Sequence, residues 1–378
     1  MNVLFLDHAT DLGGAEVSLL GLMRTLDKER FAPTLACPPG TLADRARALG
    51  IPVITLGLRK LGGRSRLLAL WRLWRGIRAL RRVARRGRFD ALHANTLRAA
   101  IYASGVAPSL GVPLVWHVRD HAVPSWARQR LLQRCEVAVA PSQFIADALG
   151  NDPKVRIVPN GIDLADVPVE GAGAAFRREL GIPSDAPVIG CLGRLLPWKG
   201  QHFFVGMAAR LAPRLPQARF LVVGGALYAA PGTDYPALLK ELAARLKVED
   251  KVLFVGHRDD PLAALSAMDV VVNCSQNEPF GRVLIEAMAC RRPIAAFRSG
   301  AVPEIVEDGA TGVLAPFGDT AALAEAVLGL VGDPARAQAL GEAGRHRVAA
   351  RFTLAASTAG IESVYAELAA LRQREPHP

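Results

Sequence analysis

Short apolar runs recur along the chain at 3–6, 34–36, 53–56, 91–93, 114–117 and 137–140, and amphipathic stretches with helical spacing lie between several of them. Apolar strands alternating with helices predict a parallel sheet covered on both faces, because each strand must be buried twice. From 163 to 187 the pattern pauses. Pro168, Gly171, Gly173 and Pro183 interrupt it around a short helical piece at 174–180, so the stretch reads as a connection between domains. The alternation restarts at 188–192, 219–223, 252–255, 270–273, 294–296 and 312–314. The expected organisation is an α/β chain of two domains, 1–168 and 169–353, followed by a segment 354–378 that holds a helix at about 354–371 and a polar tail from 372. Open parallel sheets bind ligands beyond the carboxyl ends of their strands, so both domains are expected to offer loops to a cleft.

Composition narrows the class. The 378 residues exceed what one ordinary core needs, and 51% hydrophobic with 21% charged residues is a soluble, globular balance. No apolar run is long enough to span a bilayer, and the start, Met1 to Asp7, reads as a buried strand instead of a signal peptide. Five scattered cysteines suit reduced thiols in a cytoplasmic protein and form no metal-type pair. The net charge of +11 is uneven: residues 1–170 hold 24 Lys and Arg against 14 Asp and Glu, and the remainder holds 22 against 21.

Part of that excess lies in 65–86, which contains no acid. Leu67, Leu70, Trp71, Trp74, Ile77 and Leu80 follow helical spacing there. The expectation is a helix with its apolar face on the sheet and its arginines facing solvent or the anionic inner face of a membrane. Nucleic acid is not expected as a partner, because no binding motif or separate groove-reading helix is present.

Five segments carry candidate chemistry. In Glu278-Pro-Phe280-Gly281-Arg-Val-Leu284-Ile-Glu286 a loop carboxylate precedes a helix, 282–290, that carries a second one. Gly281 permits close backbone approach, and the first helix amides suit an anion such as a diphosphate. The two carboxylates can accept hydrogen bonds from sugar hydroxyls; alone, they equally describe a helix-start acid and an exposed one. Gly193-Arg194-Leu-Leu-Pro-Trp-Lys199-Gly200 follows strand 188–192, where two cations could neutralise a leaving diphosphate or form a basic surface loop. Asp11-Leu-Gly13-Gly14-Ala-Glu16 follows strand 3–6 and offers amides for a phosphate or sugar, or is an ordinary strand–helix turn. Trp116-His117-Val-Arg-Asp120 ends a strand, a frequent place for a site histidine. Val158-Pro-Asn160-Gly-Ile-Asp163 is a turn after a short strand.

In this order, these segments resemble the glycosyltransferases of family four, retaining enzymes with two Rossmann-like domains facing across a cleft in the GT-B fold. The resemblance extends over essentially the whole chain and includes Val255-Gly256-His-Arg258 and Ser299-Gly300-Ala-Val-Pro-Glu304. It implies that the final helix crosses back to the first domain. It further implies that Arg194 and Lys199 hold the donor diphosphate, that Glu286 bonds the ribose, and that Glu278 bonds the transferred sugar beside Phe280, Gly281 and Leu284. Gly13 and Gly14 would approach the phosphates or the acceptor, His117 the donor sugar near the reacting carbon, and Arg258 the base. Asn95 and Asn160 would lie on the acceptor side. The loops 58–66 and 121–128 would choose a glycan or lipid-linked acceptor. Neither a metal nor a cofactor is implied beyond the nucleotide-diphosphate sugar itself.

Two departures concern loop geometry: Cys290-Arg-Arg-Pro293 and Gly300-Ala301 stand where the family commonly has glycine. Asp120 lies three residues beyond His117 and is assigned no catalytic role. Competing classes are a nucleotide-sugar epimerase and a non-catalytic membrane-associated scaffold. A nicotinamide dehydrogenase is disfavoured, since Val223-Gly-Gly-Ala226 lacks the dinucleotide-binding spacing.

Overall fold

The computed structural model describes residues 1–59, 61, 65–168, 171–226 and 234–374; part of the 58–66 loop, two residues of the 163–187 stretch and the end of the polar tail lie outside the described residues. The chain forms two compact units, one of Met1–Gly161 with the segment from Leu354, the other of Ile162–Thr353.

In the first unit, β1 (Asn2–Leu6), β2 (Ala32–Cys37), β3 (Val53–Thr55), β4 (Ala91–Ala94), β5 (Leu114–His117), β6 (Val137–Ala140) and β7 (Val155–Ile157) form one sheet in the order 3-2-1-4-5-6-7. Every pairing is parallel. Successive side chains of a strand point to opposite faces. Val3 and Phe5 therefore enter one core layer, with Leu19, Met23 and Ile361, while Leu4 and Leu6 enter the other, with Leu80 and Tyr102. Burying each such side chain contributes about 1.5–3 kcal/mol.

The second unit repeats the plan. Strands β8 (Val188–Leu192), β9 (Arg219–Val223), β10 (Val252–Gly256), β11 (Val270–Asn273), β12 (Ile294–Arg298) and β13 (Val313–Pro316) pair in the order 10-9-8-11-12-13, all parallel. In each sheet the strand order reverses beside the first strand, between β1 and β4 and between β8 and β11. Such a switch point splays the following loops apart and leaves a crevice at the carboxyl edge.

The stretch 163–187 is not a free connection. Phe176, Ile182 and Ala186 are buried in the core of the second unit, with Leu164 and Val167 packed against it, and Ile162 bridges to Thr353. The division therefore falls at Gly161–Ile162, earlier than 168, because these apolar side chains have a core to enter.

The last helix, Leu354–Arg374, belongs to the first unit. Ile361, Val364, Tyr365 and Leu368 join the layer of Val3 and Phe5. Its polar edge is fastened by Thr25–Thr358 (2.6 Å), by Glu362 accepting from the Asp27 amide (2.8 Å) and by Arg156–Glu367 (2.6 Å).

Helix Arg66–Gly87 starts at Ser65, whose hydroxyl accepts from the Leu68 amide at 3.3 Å, and ends where Arg88 turns left-handed at φ 48°. Its arrangement corrects the expected single apolar face. Leu80 and Ala84 are buried, and Leu73 and Ile77 pack beside them. Leu67, Leu70, Trp71 and Trp74 are instead 80%, 62%, 47% and 55% exposed. At 100° per residue the two sets form stripes separated by about a third of a turn, so one helix cannot bury both against one sheet. Arg75 lies over the Trp71 ring at 4.6 Å and Arg78 over Trp74 at 4.7 Å. Among the described residues, no helix is long and apolar enough to cross a membrane.

Candidate active site

At the switch point of the second sheet, the loop after β8 and the loop after β11 are joined by a backbone bond from the Gln276 amide to the Trp198 carbonyl (2.7 Å) and by an ion pair. Lys199, in a short 3-10 turn Pro197–Lys199, donates from Nζ to Glu278 Oε2 at 2.7 Å, with side chains 16% and 6% exposed. The ammonium also lies 4.4 Å from the centre of the Trp198 ring. A carboxylate this buried needs a partner, and Lys199 supplies it. Arg194 in the same loop is half-buried, and its backbone carbonyl accepts from Gln201 Nε2 at 2.9 Å. Its guanidinium makes no hydrogen bond or ion pair among the described residues, so the loop holds one paired and one unpaired cation.

The carboxylate loop is shaped by close backbone approach. Gly300, at φ +59°, lies where a Cβ would meet the backbone N and O of Glu278 at 2.4 and 2.5 Å, and the Ala301 amide donates to the Glu278 carbonyl at 2.8 Å. Gly281, at φ +95°, starts helix Arg282–Ala289, and a Cβ there would strike Leu284 Cδ1 at 2.7 Å. The first turn of that helix leaves amides without intrahelical acceptors, which favours an anion. Glu286 is buried on the same helix and accepts from Arg282 Nε at 2.6 Å.

Two residues expected at this site have their side chains engaged within the protein. Leu284 is wholly buried in the core, and its amide donates to the Gly281 carbonyl at 2.9 Å, so its side chain is packing. Arg258 spends its guanidinium on Glu179 (2.5 Å) and Asp260 (2.8 Å), with Phe176 beneath it at 4.9 Å. No hydrogen bond or ion pair joins it to Lys199 or Glu278 among the described residues. Phe280 is also buried and packs edge-on against Phe352.

The first sheet gathers a polar network at its own switch point. Asp7, wholly buried just beyond β1, accepts from the amides of His8 (2.6 Å) and Ala9 (2.9 Å) and from Asn95 Nδ2 (2.7 Å) beyond β4. Asn95 Oδ1 accepts from Arg119 at 2.7 and 3.0 Å, and Arg119 Nη1 reaches Asn160 Oδ1 at 2.6 Å. Gly13 precedes the helix Gly14–Thr25, and its amide donates to Glu16 Oε2 at 2.8 Å. Burial, and then the nearby Asp7 charge, push the Glu16 carboxyl up to about 7.

His117 ends β5 almost completely buried. Its Nδ1 lies 3.2 Å from His93 Nε2, and His93 Nδ1 lies 2.8 Å from the Tyr365 hydroxyl. Burial, then the charge of Arg119, hold His93 down at about 3 and His117 well below the ordinary range. Both rings are neutral at physiological pH.

Two family models divide the chain between them. The model described as Glycosyltransferase Family 4 matches residues 12–166 and that described as Glycosyl transferases group 1 matches residues 174–347. The chain belongs to glycosyltransferase family 4. Among relatives of this family-4 chain, the D-inositol 3-phosphate glycosyltransferase of Stackebrandtia nassauensis is 37% identical over 245 residues, 63% of this chain and 54% of the relative. The GDP-mannose-dependent alpha-(1-6)-phosphatidylinositol monomannoside mannosyltransferase of Mycolicibacterium smegmatis is 36% identical over 255 residues, 64% of each chain. The chain spans about half the length of the first curated relatives it matches. The solved structure of Anabaena HepE in complex with UDP-glucose superposes with a TM-score of 0.85 at 26% identity, covering 97% of this chain and 100% of that one. The two parallel sheets are those of the GT-B fold.

Sequence reasoning about this family-4 chain passed over Asp7, His93, Arg119 and Tyr365 as site residues. Asp7 follows strand β1 and His93 lies near the carboxyl end of β4, where a polar side chain beside an apolar run is itself a signal. Arg119 lay inside a quoted motif without a role. Tyr365 is 272 residues from His93, and no local pattern links them.

Proposed function

We propose that this chain is a retaining, metal-independent glycosyltransferase that moves a sugar from a nucleotide-diphosphate donor to a hydroxyl acceptor. The observation that carries this reading is the Lys199–Glu278 ion pair at the switch point of the second sheet, with Arg194 in the same loop unpaired among the described residues. A diphosphate brings more negative charge than one carboxylate. It would draw Lys199 from Glu278 and engage Arg194 bidentately, with helix amides beyond Gly281 adding to the field. Glu278, released, would accept hydrogen bonds from the transferred sugar, and Glu286 from the ribose.

The bond between the anomeric carbon and the diphosphate oxygen then breaks, and its electron pair stays on the diphosphate, where the cations stabilise it. The acceptor oxygen bonds the anomeric carbon on the face being vacated. Its proton passes to the leaving phosphate oxygen, so configuration is retained without a carboxylate nucleophile. The names of the relatives support a nucleotide-sugar donor and an inositol-phosphate or lipid-linked polyol acceptor. The Asp7–Asn95–Arg119–Asn160 network supplies charge and hydrogen-bonding groups suited to such an acceptor.

The exposed Leu67, Leu70, Trp71 and Trp74, interleaved with arginines on a helix without acids, favour peripheral docking on an anionic cytoplasmic membrane surface. Thermal shifts with UDP-, GDP- and ADP-sugars test donor binding, because a ligand of the native state alone raises its stability. Lys199→Ala and Glu278→Ala are each expected to lower turnover by about 10²–10³ while folding persists. Undiminished transfer in both variants would sink the proposal, and an inverted anomeric coupling in the product's NMR spectrum would remove the retaining mechanism.

A further inference from the structure

Tyr365, His93 and His117 form a buried row whose hydrogen bonds admit only two proton arrangements. Each group carries one mobile proton when neutral. If the Tyr365 hydroxyl donates to His93 Nδ1, then His93 Nε2–H donates to His117 Nδ1, and His117 holds its proton on Nε2. In the reverse arrangement His93 Nδ1–H donates to Tyr365, His117 Nδ1–H donates to His93, and His117 Nε2 is a bare lone pair. The row is fixed at its inner end by packing, since Tyr365 is wholly buried in the layer of Val3 and Phe5, and the His93 ring lies tilted against Phe5 with centroids 4.8 Å apart.

The two arrangements differ in what they leave unpaired. In the reverse arrangement the tyrosine hydroxyl proton has no acceptor among the described residues, in a site water does not reach. In the first, every group of the row is paired except His117 Nε2, which is buried and has no partner among the described residues in either case. Each arrangement leaves one buried donor unpaired, His117 Nε2–H in the first and the Tyr365 hydroxyl in the reverse, but the reverse also leaves the His117 Nε2 lone pair without a donor. Unpaired buried polar groups are costly, so the first arrangement is favoured.

We propose that Tyr365 and His93 are positioning residues that hold His117 as the Nε2–H tautomer, a hydrogen-bond donor to an oxygen of the sugar nucleotide and not a general base. The inference rests on the reading of His117 as a residue that touches the donor. It assigns the direction of that contact: an oxygen that can accept is held, and a ligand presenting only a donor there is rejected.

Selective 15N labelling of histidine in the full chain, with long-range proton–nitrogen correlation, reads the tautomer directly, and His117→Gln assigns the ring. The expected result is a protonated Nε2 and an unprotonated Nδ1 on His117 throughout the neutral range. A protonated Nδ1 overturns the proposal. Tyr365→Phe removes the terminal donor and is expected to bring the second tautomer into view; an unchanged His117 spectrum in that variant also overturns it.

His93→Gln can keep the sense of the row, its Oε1 accepting from Tyr365 and its Nε2 donating to His117, whereas His93→Phe cannot. UDP-glucose and GDP-mannose serve as probes, and whichever binds the wild type more tightly is titrated into each variant. His93→Phe is expected to weaken binding roughly tenfold, with His93→Gln restoring most of it. Equal losses in both reduce the row to packing and overturn the proposal. A correct tautomer in a protein that binds none of the UDP-, GDP- and ADP-sugars would refute the donor-binding reading while leaving the row as described.

Discussion

Glu16 shows how one buried side chain couples the first unit to pH. Its carboxyl is raised to about 7 by burial and by Asp7, whereas an unfolded chain releases the same proton near its ordinary value of about 4.3. Between those values the folded state binds more protons than the unfolded state, so this group makes stability fall as pH rises, by at most about 1.4 kcal/mol per pH unit. Glu16→Gln keeps an oxygen for the Gly13 amide and removes the titration. In urea unfolding at a series of pH values, its stability relative to wild type is expected to climb from pH 4.5 to 7 and then level. A constant difference across that window would show that Glu16 does not titrate there. The same residue marks a limit of local reading. Glu16 can be seen opening a helix, but its burial beside Asp7 depends on the fold. Lys199 and Glu278 stand in short motifs that follow strands, which is why their chemistry is legible separately, while the bond between them comes from the strand order that makes β8 and β11 neighbours. His93, Arg119 and Tyr365 act through partners far along the chain, so no spacing announces them.

Helix Arg66–Gly87 carries two apolar stripes with different fates, and substitution can separate them. Ile77 packs on the core, and Ile77→Ala is expected to cost about 2–5 kcal/mol of stability. Trp71 and Trp74 are exposed and already covered on one side by Arg75 and Arg78. Replacing both with alanine is expected to change stability by no more than about 0.5 kcal/mol. It should also lower co-sedimentation with anionic vesicles by roughly tenfold or more, because each ring would bury apolar area in the headgroup region. Neutral vesicles and raised salt should weaken the wild type in the same direction. Unaltered binding in the double variant would exclude this face as the docking surface. The helix itself was legible, since a long acid-free amphipathic run has few other outcomes. The facing was not, because the 67–74 and 73–84 stripes overlap in sequence and only the sheet decides which is covered. A similar ambiguity attended 163–187, where Pro and Gly suggested a connection but Phe176, Ile182 and Ala186 found a core.

At the scale of the whole molecule, strict alternation of apolar runs and helices made both parallel sheets legible, since few other folds bury such strands on two faces. The chain path at the end is the less local feature: it leaves the second unit at Thr353 and completes the first. Without Leu354–Arg374, the layer formed by Val3, Phe5, Leu19 and Met23 would face water, so the first unit's stability depends on residues that follow the whole second unit along the chain. Ile361 is 1% exposed in that layer. Ile361→Ala is expected to destabilise by about 2–5 kcal/mol and to act on the first unit. In native-state hydrogen exchange, amides of β1, β2 and helix Gly14–Thr25 should then exchange faster, while those of β8, β11 and helix Arg282–Ala289 keep their protection. Binding of a sugar nucleotide through the Lys199 and Glu278 loops should slow exchange in the second set in wild type and variant alike. Accelerated exchange spread evenly over both sets would mean that the two units open as one, and that the last helix stabilises the molecule as a whole instead of the unit it joins.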